Sequence, residues 1–493
     1  MNDLRLAPAA IGVATRTHPL PQVPMLPAYR ALVQRFGPDE VYLLESAAGP
    51  IRDRRYQFVG FGALLSVAVT EGAVRVEGLP ALRGALLERI RPLLDEDADG
   101  TLRLRTPTGL WPLLRATQDM FDADGSSTRF RFGFLGYFGY DTVRYVEELP
   151  HLIEERPDLP DVQLVLHQGC VVRDLAAEGT ELLLHESDAW PALRAEDIAA
   201  LLAAAPDTHP EPAADTVPAA LVSDSTDPAA FHADVERCLR HIAVGDVYQV
   251  QIGHELTMRS TADPVDVYQR LRRRNASPYM YLASVGGQCV IGASPELFVR
   301  IEQGTVTMRP IAGTLPHNGG DDTQSAERLR SDPKEIAEHT MLVDLCRNDI
   351  GRIARADTLA VPDEFVVERY SHVSHLVSTV VGEAEPDKDA FDAVAALFPA
   401  GTMTGTPKIR AMEVIESVED SRRGLYAGAL GLIDVGGYTN LALCIRTLFH
   451  RDGVYRTRAS AGIVADSVPA GEWRETLAKM SAAHWAVTGK ELL

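Results

Sequence analysis

Two pairs of glutamates at helical spacing carry the most chemistry in this sequence. In PKEIAEHTMLVDLCRND, Glu335 and Glu338 are three residues apart and share one helical face. GEWRETLAKM repeats the spacing with Glu472 and Glu475, and sets Trp473, Leu477 and Met480 on another side. Four carboxylates without neighbouring cysteines or paired histidines suit a hard cation. Mg²⁺ is satisfied by one or two carboxylates plus substrate oxygens. Each pair also has a plainer use: Glu335 stands at a capping-box position, and Glu475 precedes Lys479 by four residues. EIAEH falls short of HxxEH because its first position is Glu, which excludes a zinc-protease site.

Other motifs offer single groups. ERYSHVSHLVS contains His372 and His375, three apart. A strand would put them on opposite faces, so they would not share a metal; either is an acid/base group or a hydrogen-bonded core histidine. LFPAGTMTGTPKIRAMEVIESVED runs from a Gly/Thr-rich turn into a helix starting near Pro407. Such a turn either presents amides to an anion or is a glycine-rich connection. It is no Walker loop, since Lys408 is followed by Ile409. Arg446 in ALCIRTLF and the backbone at Gly462 in ASAGIVADSVP could hold a carboxylate, which a guanidinium fork matches. In PIAGT, Thr314 is the one hydroxyl beside a glycine, and Ala312 can neither attack nor take a proton.

The elements that must position these groups read as mixed α/β (α+β). Short strands and an Ala/Leu-rich helix near 191–204 come first. AAAPDTHPEPAADTVPAALVSDSTDP (203–228) is Pro-, Ala- and acid-rich and reads as a linker or loop. The organisation is therefore an N-terminal region 1–202, the linker 203–228 and a C-terminal region 229–493. Beyond the linker the expected elements are a helix over 228–244, a strand over 247–257, a helix over 264–274, and strands over 279–285, 288–293, 296–302 and 304–309. Asp227-Pro228 and Asp332-Pro333 are helix starts, an Asp cap followed by Pro at the first helical position.

Bulk properties narrow the function. The chain has 493 residues and a formal net charge of −21, which argues against nucleic acid and anionic membranes as partners. Five scattered cysteines without CxxC spacing fit reduced thiols and a cytoplasmic setting. Neither a signal-peptide pattern nor a membrane-length apolar run is present.

In this order the motifs resemble the chorismate-utilising enzymes, and within them the large subunit of anthranilate synthase. The matching stretches are GDVYQV (245–250), NASPYMY (275–281), SPELFV (294–299), PIAGT (310–314), DPKEIAEHTMLVDLCRNDIGR (332–352), ERYSHVSHLVS (368–378), FPAGTMTGTPKIRAMEVI (398–415), CIRT (444–447) and AGIVADSVP (461–469). Upstream, LLES (43–46), RRYQFVG (54–60) and GYFGYDTVRY (136–145) are similar to that family's N-terminal region.

The resemblance implies an interleaved fold with two large, mainly antiparallel sheets and flanking helices, and it implies Mg²⁺ and chorismate. It implies Glu338 and Glu475 as metal ligands, with Glu335 and Glu472 beside them. Arg446, Tyr426 and Gly462 would receive the enolpyruvyl carboxylate near Lys479, with Ala312 and Gly313 shaping the pocket beside Thr314. Glu296 would protonate the departing hydroxyl, and His375 would assist turnover. Family members that add water carry lysine where this chain has Gln249; those that form a covalent adduct carry lysine in place of Ala312. The expectation is therefore ammonia as nucleophile at C2, then pyruvate loss to anthranilate; the alternative product is 2-amino-2-deoxyisochorismate, with pyruvate retained, and an aminodeoxychorismate synthase or a non-catalytic homologue ranks below both. No glutaminase motif occurs, so a separate glutamine amidotransferase subunit would supply the ammonia. Ser46, Pro278, Tyr279 and Met280 are the expected contacts for tryptophan as inhibitor. Leu315, His317, Ala276, Asn440 and Ser460 depart from the family's motifs.

Overall fold

A computed structural model describes residues 10–123, 128–154, 159–205, 217–316, 327, 329–370 and 373–493. The side chains of Ile51, Thr314, Pro316 and Lys334 lie outside the described residues, as do all of His317 and His372. Strands and helices that build or brace the site are labelled here in chain order. They are β1 (Val41–Glu45), β2 (Tyr56–Thr70), β3 (Gly133–Phe138) and β4 (Val162–Asp174), followed by α1 (Pro228–Ala243) and β5 (Gln249–Arg259). Next come β6 (Tyr279–Val285), β7 (Gln288–Ser294), β8 (Leu297–Glu302), β9 (Ile311–Pro316), α2 (Pro333–Gly351), β10 (Ala360–Arg369) and β11 (Val373–Glu383). The last are β12 (Gly405–Thr406), α3 (Lys408–Val418), β13 (Ala429–Asp434), β14 (Thr439–Leu443), β15 (Val454–Ile463) and α4 (Pro469–Thr488).

Among the described residues every strand pairing but one is antiparallel; Ile11–Val13 beside Phe121–Ala123 is the parallel exception. The halves of the chain interleave. β1 pairs with β6, and β3 pairs with β13, so N-terminal strands sit beside C-terminal ones. The pattern of alternating buried positions along β5 is what fixes its register against β15. The end of the expected linker is not all loop: Leu221–Asp224 pairs with the far end of β5.

The first of the expected helix starts forms as its side chain requires. Asp227 Oδ1 accepts from the amides of Ala229 and Ala230 at 2.8 and 3.0 Å, and Pro228 opens α1. Phe231, Val235 and Cys238 of α1 then pack with Val250 and Ile252 of β5, Ala411 and Ile415 of α3, and Ala461 and Ile463 of β15. α4 is held on this layer by His254 of β5. Its ring lies 2.7 Å from Thr476 Oγ1 and 2.7 Å from Asp224 Oδ1, and stacks on Trp473 at 4.4 Å. That contact sets the helix whose first turns carry Glu472 and Glu475.

Candidate active site

A cavity of about 600 Å³ collects residues from motifs spread over half the chain. β5 contributes Gln249 and Gln251, the β7–β8 turn Glu296, and β9 Ala312 and Gly313. α2 adds Glu335 and Glu338, β11 His375, the segment before β13 Tyr426, the segment after β14 Arg446, and β15 Ser460 and Gly462. Glu472, Glu475 and Lys479 of α4 complete the lining.

PIAGT works through its backbone. The register between β9 and β11 slips between Ala312 and Thr314, a bulge, and Gly313 takes φ +60°, a left-handed conformation that suits glycine. A Cβ there would lie 2.8 Å from Glu335 Oε2, so the missing side chain also admits the carboxylate of α2. The Gly313 carbonyl accepts the Nδ1–H of His375 at 2.8 Å. That bond leaves Nε2 as the ring's acceptor nitrogen. Burial, joined by the charge of Arg446, holds the imidazole neutral by pushing its pKa down to about 4, against the opposing pull of the Gly313 carbonyl.

Glu296 is the complementary group. It is 8% exposed, and burial pushes its pKa up to about 8, while the Thr402 hydroxyl, donating to Oε1 at 3.1 Å, and the Lys479 charge oppose the rise. Near neutral pH this carboxyl holds a proton it can give away. A neutral base and a protonated acid thus share one cavity.

The opposite wall is cationic. Arg446, at φ +53°, donates through Nη1 to the Lys479 carbonyl at 2.8 Å. Lys479 Nζ donates to the Ser460 carbonyl at 2.9 Å and pairs with Glu475 Oε1 at 2.6 Å. Glu475 therefore uses the i,i+4 partner its spacing offers. Among the described residues no three carboxylate, imidazole or thiol groups lie close enough to hold an ion between them. The donor set still suits a hard cation: four carboxylates line the cavity, and such an ion takes one or two of them with substrate oxygens.

Gln249 is 2% exposed, and its Oε1 has no hydrogen-bond partner among the described residues. Gly462 makes room for it, because a Cβ at that position would sit 2.8 Å from Gln249 Nε2 and 3.0 Å from Gln251 Nε2. Gln251 and Thr402 are cavity residues that motif reading passed over. Gln251 was accessible from the two-residue alternation of a strand with Gln249 on its inner face. The Gly/Thr-rich turn is a packed connection: both Asp349 oxygens hold Lys408 Nζ at 2.8 Å, and the Leu397 carbonyl accepts from it at 3.2 Å.

The four residues expected to meet an inhibitor gather elsewhere. The Ser46 hydroxyl lies 3.3 and 3.2 Å from the Asp53 and Tyr56 carbonyls, and Tyr279 donates to Asp53 Oδ1 at 3.3 Å. Pro278 packs against Gly49, and Met280 is buried opposite Glu45. None of them lines the cavity.

Residues 97–484 match the family described as chorismate binding enzyme. A protein of Streptomyces globisporus named 2-amino-4-deoxychorismate synthase is 71% identical over 494 residues, covering 100% of both chains. An anthranilate synthase component 1 of Streptomyces coelicolor is 39% identical, over 94% of this chain and 86% of its own. The crystal structure of anthranilate synthase component I from Streptococcus pneumoniae superposes with a TM-score of 0.69 at 29% identity, covering 87% of this chain and 92% of that one. The Escherichia coli isochorismate synthase MenF shares the fold, with a TM-score of 0.66 at 18% identity over 98% and 96% of the two chains. These findings correct the expectation of anthranilate as product. The relative at 71% identity is named for an aminated chorismate, and anthranilate synthase components stand at 39% or thereabouts. An acid, a base and a cationic wall do not by themselves select the product, which is why the motifs misled. With the glutamate pairs, PIAGT, His375 and Arg446 gathered round one cavity and its match running from residue 97 to 484, the chain belongs to the chorismate-binding enzymes.

Proposed function

We propose that this protein aminates chorismate at C2 and releases the product with its enolpyruvyl group still attached. The observation that carries the reading is the 71% identity, end to end, with a protein named 2-amino-4-deoxychorismate synthase. That name describes an amine at C2 and the loss of oxygen from C4, with the chorismate side chain kept. It matches the pyruvate-retaining alternative for this chain.

The cavity supports the chemistry. Ammonia forms the C2–N bond, the two ring double bonds shift, and the C4–O bond breaks with the electron pair leaving on oxygen. Glu296, protonated at neutral pH, supplies the proton that turns the leaving hydroxide into water. Neutral His375 is the base available for the proton the new ammonium gives up. Ala312 offers no competing nucleophile. The orphaned Gln249 Oε1 can accept an N–H from ammonia, but as a neutral amide it cannot take a proton from water as a lysine base could. Arg446 and Lys479 give the dianionic substrate its counter-charge in an otherwise acidic chain.

Glu338 and Glu475 are the residues that would hold Mg²⁺ together with substrate oxygens, with Glu335 and Glu472 beside them. When bound, the ion would neutralise the ring carboxylate and act as a Lewis acid. A glutamine amidotransferase partner would deliver the ammonia; ammonium salts would replace it in vitro. The test is purified protein with chorismate, MgCl₂ and ammonium, products separated by chromatography and mass. The expected result is an aminated compound that keeps enolpyruvyl, with little free pyruvate. Unchanged chorismate, or anthranilate with stoichiometric pyruvate, would overturn the reading.

A further inference from the structure

We infer that Ser460 determines the fate of the enolpyruvyl group by engaging the Tyr426 hydroxyl inside the cavity wall; the inference rests on the amination proposed above. Ser460 is 1% exposed on β15 and lies between two other polar lining residues. Its hydroxyl donates to Gln251 Oε1 at 3.0 Å and stands 2.6 Å from the Tyr426 hydroxyl. The Ser460 amide donates to the same Tyr426 oxygen at 2.8 Å.

Counting protons assigns the directions. Ser460 has one hydroxyl proton, and Gln251 Oε1 receives it. The proton in the Tyr426–Ser460 contact therefore comes from tyrosine. Tyr426 thus donates to serine and accepts from the serine amide, so its single proton points into the wall and away from the substrate. The backbone is held as well, since Lys479 Nζ donates to the Ser460 carbonyl at 2.9 Å.

The consequence concerns pyruvate. To lose it, the aminated ring gives up the C2 proton to a base, the C3–O bond breaks, and its electron pair leaves with the enolpyruvate oxygen. One proton must then reach the enolpyruvate to make pyruvate, while the ring becomes aromatic. A donor on the wall beside Arg446 and Lys479 would favour that leaving group. Ser460 removes the Tyr426 donor from this role. It acts through Tyr426 and Gln251 and is a positioning residue.

The test compares wild type with Ser460→Ala, Ser460→Gly, Ser460→Thr and the double variant Ser460→Ala/Tyr426→Phe, each with chorismate, MgCl₂ and ammonium. Aminated product is measured by chromatography, anthranilate by fluorescence, and pyruvate by coupled lactate dehydrogenase. The ratio of pyruvate to aminated product should rise about tenfold or more in the Ala and Gly variants, the worth of one charge-assisted hydrogen bond. Ser460→Thr, which keeps a hydroxyl, should hold the wild-type ratio. The double variant should return to that ratio, because the released donor is gone. An unchanged ratio in active Ser460→Ala overturns the inference, as does equal pyruvate release from the single and double variants. Loss of all turnover in both Ala and Gly variants overturns it too, since the hydroxyl would then serve amination itself. Anthranilate as the main product of wild type is a different failure, that of the proposed function.

Discussion

The Nδ1 of His375 and the carbonyl oxygen of Gly313 are 2.8 Å apart, at a bulge where Gly313 holds φ +60°. One backbone irregularity in β9 thus fixes the tautomer of a ring on β11. Gly313→Ala would put a side chain in left-handed backbone, at a cost of about 1–2 kcal/mol, and press on Glu335 Oε2. Activity should fall by more than the stability loss accounts for. Steady-state kinetics beside thermal unfolding separates the two; a variant with wild-type kcat/KM would deny the bulge its role.

Glu296 should give the alkaline limb of the pH profile. Its carboxyl is protonated below about 8, so kcat/KM should fall as pH rises through that value. Glu296→Gln should lower kcat by about 10²–10⁴. Stability gives an independent readout. A carboxyl raised from 4.5 to about 8 contributes stability that is whole below 4.5 and lost as pH rises through 8. Wild type should therefore lose melting temperature relative to Glu296→Gln across that window, as differential scanning fluorimetry would show.

Gln249→Leu should remove the acceptor offered to ammonia. The KM for ammonium should rise about tenfold, with the KM for chorismate little changed, because an unmet N–H costs on the order of 1–2 kcal/mol. Gly462→Ala should move the same parameter, since its Cβ would crowd Gln249 Nε2 at 2.8 Å. Equal changes in both KM values would mean a general distortion of the cavity.

Calorimetric titration of Mg²⁺ in the presence of chorismate reports on the glutamates without turnover. Glu338→Gln and Glu472→Gln should each weaken binding by about 10-fold or more, the scale seen when a group supporting a metal is removed. Undiminished affinity in both would move the ion elsewhere. Lys479→Met should tighten the site or leave it unchanged, because the Glu475 carboxylate loses its ammonium partner at 2.6 Å.

Beneath the cavity, Glu419 is buried between Arg423 and Arg458, with contacts of 2.8 Å to each, and accepts the Gly253 amide at 3.0 Å. Burial would raise its pKa, but the two guanidiniums outweigh it and hold the carboxyl low. This stability is present above the ordinary carboxylate range and is lost as pH falls through the folded-state value. Glu419→Ala should cost about 3–5 kcal/mol, because two cations are left buried. Chemical denaturation at neutral pH measures it, and a loss below about 1 kcal/mol would contradict the geometry.

Much of the fold was legible because it is local. Asp227-Pro228 announced α1 through its own cap, and the strand expected over 279–285 formed with those bounds. The glutamate pairs, too, showed themselves by helical spacing. Their surroundings did not. Glu475 faces Lys479 on its own helix, but Glu335 meets Gly313 only because α2 packs on β9. The Gly/Thr-rich turn read either as an anion cradle or as a glycine-rich connection, and that Asp349, on a distant helix, holds Lys408 was not legible in the sequence.

By itself the sequence determined residue types, carboxylates in pairs, a methyl at Ala312 and a glutamine at 249, and the resemblance set the last two against lysines of other family members. Those are properties of residue type, and type needs no partner. Only the tertiary structure decided protonation and direction. Glu296 keeps its proton because it is buried, His375 is neutral because it is buried, its Nδ1 proton is fixed by a carbonyl 62 residues away, and the Tyr426 hydroxyl lies 2.6 Å from that of Ser460. Desolvation and hydrogen-bond direction depend on what the fold brings near, and no spacing along the chain records them.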